Sequence, residues 1–143
     1  MILISHRGNI AGPNIDQENK PEYIQQALDS GYNVEVDVWF RDNKWFLGHD
    51  KPQYGIEIEF LKNNNIWCHA KNVDALYNMS HQNIIYFWHE NDTVTLTSNG
   101  YLWTYPGKPL TPLSIAVLPE VSIQNKNEPI AGLCSDYIST YKV

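Results

Sequence analysis

Apolar and polar residues alternate along this chain in short, punctuated blocks. Residues 1–5 are an apolar run that stops abruptly at His6, Arg7 and Gly8, and the pattern predicts a first strand there. The stretch "NKPEYIQQALDSG" (19–31) puts Ile24, Ala27 and Leu28 on one helical face. Pro21 suits the first turn of that helix and Gly31 the position just past its end. "NVEVDVWF" (33–40) alternates strictly and predicts a strand, "RDNK" a turn, and "WFLGHD" (45–50) a second short strand folded back as a hairpin. "GIEIEFLKNNN" (55–65) reads as a short helix or as irregular chain. "IWCHAKN" (66–72) predicts a strand, "NVDALYNMSHQ" a helix begun at Asn72, and "NIIYFWHE" (83–90) a further strand. In "DTVTLTSNGYLWTYPG" (92–107), Asn99-Gly100 between two alternating runs is a hairpin signal. "LSIAVLPE" (113–120) and "GLCSDYIS" (132–139) are the last strand candidates, separated by the polar "VSIQNKNEP" with Pro129 before the final strand.

Strands alternating with helices predict an α/β protein with a largely parallel sheet. The pattern offers about seven or eight strands, but helices are convincing only at 19–31 and 72–82. A complete (β/α) barrel takes about 250 residues and rarely fewer than 200, and this chain has 143. The expectation is therefore one domain over residues 1–143, a small, trimmed (β/α) TIM-type barrel with most outer helices reduced to loops.

Composition narrows the function classes. Hydrophobic residues make up 43% and charged residues 18%, which fits a folded globular protein. The net charge of −6 with neutral His argues against a nucleic-acid partner. It leaves an anionic substrate open, because a bound divalent cation reverses the sign locally. Cys68 and Cys134 lie in apolar contexts at no zinc spacing, so buried free thiols and a reducing cytoplasm are expected. No signal peptide and no membrane-spanning run is expected. A sheet short of helices would expose apolar faces, so a homodimer is one expectation.

Candidate chemistry sits at the strand ends. Glu35 and Asp37 share one face of their strand, opposite Val34, Val36 and Val38. Residues two apart on a strand lie about 7 Å apart and point the same way, so two carboxylates there grip one hard cation. The plain alternative is the solvated face of a hairpin. His6 and His49 each follow an apolar run, where parallel α/β folds place their sites, and two imidazoles suit general acid and general base. Both also read as ordinary loop histidines. His69 and Lys71 share a face with Trp67, and a lysine turned inward needs an anion. Glu120 and His89-Glu90 end apolar runs in the same way, and Trp103 is a candidate pocket floor.

Taken in order, His6-Arg7-Gly8, Glu18-Asn19-Lys20, Glu35-Val36-Asp37-Val38, His49-Asp50 and His69-Ala70-Lys71 resemble the glycerophosphodiester phosphodiesterase family of the phospholipase-C-like superfamily. That family's pattern is His-Arg-Gly, Glu-Asn-Thr, Glu-x-Asp-Val, His-Asp, then Glu-x-Lys. "YLWTYPG" and "GLCSDYIS" resemble its later strands, so the likeness extends over nearly the whole chain. It implies a metal-dependent phosphodiester hydrolase acting on a small molecule or a headgroup. His6 and His49 would be the acid/base pair, and Arg7 and Lys71 would meet the phosphate. Glu35, Asp37, Glu18 and His69 would hold a divalent cation, Mg2+ or Ca2+ first, with another divalent ion admitted by His69. Apart from the resemblance, Trp103 and Glu120 are read from their positions as candidates to face the substrate. Gly8 would let the backbone turn close to the ligand. The chain departs from the pattern at His69, which stands for a carboxylate, at Lys20, and in lacking the insertion after His49-Asp50 that shapes the family's pocket. Two other readings follow from these departures. One is a non-catalytic phosphate-binding module. The other is a lyase resembling the sphingomyelinase D type, which releases a cyclic phosphate.

Overall fold

The computed structural model describes residues 1–122 and 128–141, so most of the polar segment before the last strand lies outside the described residues. The chain order is β1 (Ile2–His6), α1 (Pro21–Asp29), β2 (Asn33–Arg41), β3 (Lys44–Leu47), β4 (Tyr54–Ile56), α2 (Ile58–Leu61), β5 (Ile66–Ala70) and α3 (Val73–Met79). It continues through β6 (Ile85–Phe87), β7 (Val94–Leu96), β8 (Leu102–Thr104), β9 (Ser114–Val117) and β10 (Gly132–Ser135). Short 3-10 turns lie at Pro119–Val121, between β9 and β10, and at Ile138–Thr140, after β10. The ambiguous 55–65 stretch resolves into both a strand end and a four-residue helix.

All ten strands belong to one sheet. On one side of β1 the parallel strands run β2, β5, β6; on the other they run β10, β9, β8. Strand order thus follows chain order around the sheet, as successive crossovers of one hand require. Antiparallel hairpins hang from both flanks. β3 returns along β2 through a tight turn with positive φ at Asp42 (53°) and Asn43 (60°), the geometry that matches strand twist. β7 pairs with β8 as the Asn99-Gly100 signal predicts.

The sheet is curled, because residues from its two far ends touch. Phe87 of β6 and Trp103 of β8 stack with centroids 4.4 Å apart, and Trp67 of β5 lies 6.1 Å from Trp103. No strand ladder joins β6 to β8 among the described residues. Ser98 fills that edge instead: its N–H donates to the Tyr86 carbonyl (2.9 Å), and its Oγ accepts from the Tyr86 N–H (2.8 Å). The structure therefore carries the expected α/β character, parallel sheet and paucity of helices.

The alternation of β2 divides the core. Val34, Val36 and Val38 face outward, with Ile66, Cys68 and Ala70, against Ile24, Ala27, Ala75 and Met79 of α1 and α3. The concave side holds Ile4, Trp67, Phe87, Trp103, Ile115 and Cys134. A third cluster, Ala116, Leu133 and Ile138, covers the opposite flank. β1 and β10 approach so closely that a side chain at Gly132 would collide with the Ile2 carbonyl. Both cysteines are buried and free, Cys68 outside the curl and Cys134 within it, and burial pushes both thiols up, away from reactivity. No helix among the described residues is long and apolar enough to cross a membrane.

Candidate metal centre

The carboxyl ends of β1, β2 and β5 meet at one rim of the concave face. Register puts His6 beside Glu35, and Asp37 beside His69. Glu35 and Asp37 point inward, 2% and 0% exposed, where an uncompensated charge is costly. One oxygen of each, Glu35 Oε1 and Asp37 Oδ1, has no hydrogen-bond partner. Glu35, Asp37 and His69 each offer one ligand atom to a group in which all three lie within 4.8 Å of one another. Four buried side-chain polar atoms lack partners among the described residues, and three belong here: those two oxygens and Arg7 Nε. Buried polar atoms are normally satisfied, so this concentration marks a place built for something else.

His69 is fixed on three sides. Its Nε2 lies 2.8 Å from the His89 carbonyl, which only accepts, so Nε2 carries the proton. Its ring stacks on Phe87 (centroids 5.2 Å, planes 18° apart). Nδ1 then faces Asp37 Oδ1 at 3.3 Å, too poorly aligned for a hydrogen bond.

The other oxygen of Asp37 is well held. Asn19 Nδ2 donates to Oδ2 (2.9 Å), Asn19 Oδ1 accepts from the Asp37 N–H (3.0 Å), and Arg7 Nε lies 3.1 Å from Oδ2. Burial opposes the Asp37 charge, but its neighbours, Arg7 and Asn19 among them, outweigh it and hold the carboxyl well below the usual carboxylate range. Burial and the Asp37 charge push Glu35 upward instead. Two adjacent carboxylates are thus driven apart, as a pair that must share one counter-charge is.

Arg7 and Asn19 both adopt left-handed backbone (φ 57° and 67°), and the Asn19 N–H donates to the Arg7 carbonyl (3.1 Å). Strain in two non-glycine residues is retained where it aims side chains at a site. Gly8 (φ 95°) also gives room to a neighbour: a side chain there would meet the Tyr23 ring at 2.5 Å. The glycine makes room for Tyr23, whose hydroxyl donates to Asn9 Oδ1 (2.9 Å).

His6 reaches Asp136, just past β10, through Nδ1 (2.7 Å), and its Nε2 lies 3.9 Å from Glu35 Oε2. Burial works against a charge on His6, but the Asp136 bond and the Glu35 charge prevail and raise its pKa. Asn9 Nδ2 donates to the same Asp136 oxygen (2.8 Å).

A cavity of about 430 Å³ opens beside the cluster, lined by Arg7, Glu18, Asn19, His49, Asp50 and Lys51 among others. His49 lies there, its Nδ1 2.7 Å from Asp50. Glu18 lies outside the three-ligand group: it accepts from Arg7 Nη1 (3.2 Å) and from the Asn14 N–H (3.0 Å). Lys71, past the end of β5, is half-buried and forms no ion pair with the described residues; its N–H donates to the Val38 carbonyl (2.8 Å). Trp103 is a core residue, 2% exposed. Glu120 accepts from Ser135 Oγ (2.9 Å) and from the Asp136 N–H (3.1 Å), so it braces the loop that carries Asp136. Asp136, Asn9 and the His89 carbonyl are the participants sequence reasoning missed. The strand-end rule that singled out His6 applies equally to Asp136, directly after β10. No family model, curated protein or solved structure matches the chain.

Proposed function

We propose that this chain is a metal-dependent phosphodiester hydrolase, a trimmed (β/α) barrel of the glycerophosphodiester phosphodiesterase type. The observation that carries the reading is the convergence at a single rim of two buried carboxylates, each with one oxygen lacking a hydrogen bond, and one imidazole, beside the Arg7 guanidinium. Unsatisfied buried acceptors call for a cation. Glu35, Asp37 and His69 would hold a divalent cation, which when bound would stabilise charge on phosphoryl oxygens.

The chain's own groups do the rest. Arg7 offers Nε to a phosphate oxygen while Glu18 keeps the guanidinium in place. His6, anchored through Nδ1 by Asp136, holds or delivers a proton at Nε2. His49, its Nδ1 2.7 Å from the exposed Asp50 on the cavity side, takes the proton of the attacking hydroxyl while His6 protonates the leaving alkoxide. Glu120 holds Asp136 in place, and Trp103 supports the floor through Phe87 without meeting substrate. Lys71 has no part in the cation cluster. With no insertion after Asp50 to cap the cavity, a substrate larger than its phosphate extends into solvent. A small phosphodiester or a headgroup fits this description, and a strongly anionic nucleic acid does not fit a chain of net charge −6. The buried free thiols suit a reducing cytoplasm.

One observation favours a non-catalytic phosphate-binding module instead: the His49 side chain is 45% exposed, loosely held for an acid or base. Hydrolysis of bis(p-nitrophenyl) phosphate separates the two. We expect activity that a chelator abolishes and that falls by about 10²–10⁴-fold in His6→Ala and in His49→Ala, with both variants folded. Undiminished activity in both variants would end the hydrolase reading. Phosphate binding without turnover in the unaltered chain selects the binding module.

A further inference from the structure

We infer that this centre selects a first-row transition-metal dication, of the manganese-to-zinc series, over magnesium and calcium. The inference rests on the reading of Glu35, Asp37 and His69 as a cation site and names the class of ion.

The nature and presentation of the third ligand carry it. Hard cations such as Mg2+ and Ca2+ take oxygen ligands, and Mg2+ sheds its water reluctantly. An imidazole nitrogen suits the borderline ions instead. Here the imidazole is prepared for that role. The His89 carbonyl fixes the proton on Nε2, leaving a lone pair on Nδ1 directed at the carboxylates. A backbone acceptor on the far nitrogen is the usual outer partner of a metal-bound histidine, where it sets the tautomer and raises ligand basicity. Stacking on Phe87, itself stacked on Trp103, prevents the ring from swinging away. With Nδ1 as acceptor, the 3.3 Å gap to Asp37 Oδ1 separates two lone pairs, with no hydrogen between them. Two ligands each about 2.0–2.1 Å from one tetrahedral ion stand about 3.3–3.4 Å apart, so the gap fits a shared ion. The aromatic wall of Trp67, Phe87 and Trp103 adds no oxygen donor that would complete a hard-cation shell.

The test uses the full chain stripped of metal. Calorimetric titrations with Mn2+, Zn2+, Mg2+ and Ca2+ are compared, and bound Mn2+ is examined by electron spin-echo spectroscopy for coupling to a directly ligated nitrogen. We expect Mn2+ and Zn2+ to bind on the order of tenfold or more tightly than Mg2+ and Ca2+. We expect nitrogen coupling in the unaltered chain, and in His69→Glu both the loss of that coupling and a shift of preference toward Mg2+ and Ca2+. Equal affinity for Mg2+ and Mn2+, or bound Mn2+ without nitrogen coupling, overturns the inference while leaving a carboxylate cation site standing. Absence of binding by all four ions overturns the cation site itself. Should His69→Glu fail to fold, the affinity order and the spin-echo signal of the unaltered chain decide.

Discussion

The contact between His6 and Asp136 joins residues 130 positions apart, and its two pKa shifts set when it matters. Burial opposes both charges, yet each partner's presence wins: His6 is raised and Asp136 lowered. A raised imidazole contributes stability below its unfolded pKa and loses it as pH rises through the folded value. A lowered carboxyl contributes above its unfolded pKa and loses it as pH falls through the folded value. The pair therefore contributes in full between about pH 4 and 6.5, the two unperturbed values. We expect Asp136→Asn to cost most stability inside that window and progressively less on either side, read from urea unfolding of metal-free protein at a series of pH values. NMR titration should show the His6 pKa falling in the same variant. His6, Glu35, Asp37 and His69 were legible because strand alternation and strand ends are local properties. Asn19 and Asp136 were not. Asn19 reaches Asp37 only through its left-handed backbone, and Asp136 reaches His6 only because β10 lies beside β1.

Elements are held to one another by a few side chains that serve two structures at once. Asn72 is the clearest. Its Oδ1 caps α3 by accepting from the Ala75 N–H (3.0 Å) and also accepts from the Phe40 N–H (3.2 Å), while Nδ2 donates to the Phe40 carbonyl (2.9 Å). One residue thus starts a helix and continues the edge of β2 where its ladder with β5 has ended. We expect Asn72→Ala to cost about 2–3 kcal/mol, a lost cap plus an unpaired strand group, measured by urea denaturation. The helix start at Asn72 is readable from sequence, but its grip on Phe40 is not, since nothing local says that the residue passes the end of another strand. Strands carried by strict alternation, such as β2, were equally readable. β4 was hidden, being three residues around a glycine whose pairing with β3 supplies what its own composition lacks.

At the scale of the whole molecule the curl depends on aromatic packing more than on hydrogen bonding. Trp103 on one flank and Phe87 on the other meet where no ladder forms among the described residues, and the same Phe87 ring supports His69. Closure of the sheet and orientation of a ligand are one mechanical problem. We expect Trp103→Ala to cost about 3–5 kcal/mol and also to weaken Mn2+ binding, although Trp103 does not touch the cluster. Urea unfolding and calorimetric Mn2+ titration of the same variant measure the two effects together. Strand order and the small number of helices follow from the spacing of apolar runs. The meeting of β6 and β8 does not, because it depends on the accumulated curvature of the entire sheet.

The bond from the Asn19 N–H to the Arg7 carbonyl makes the intervening chain a loop fastened at its neck. Below the neck are the strained residues that serve the carboxylates; above it, most of residues 11–17 stand in solvent beside the cavity. Doubling the length of a flexible loop adds only about 0.6 kcal/mol of closure entropy. Such a segment is free to diversify in length and sequence while the groups beneath it remain fixed. A lineage could exchange one molecular partner for another at this rim without reinventing its chemistry.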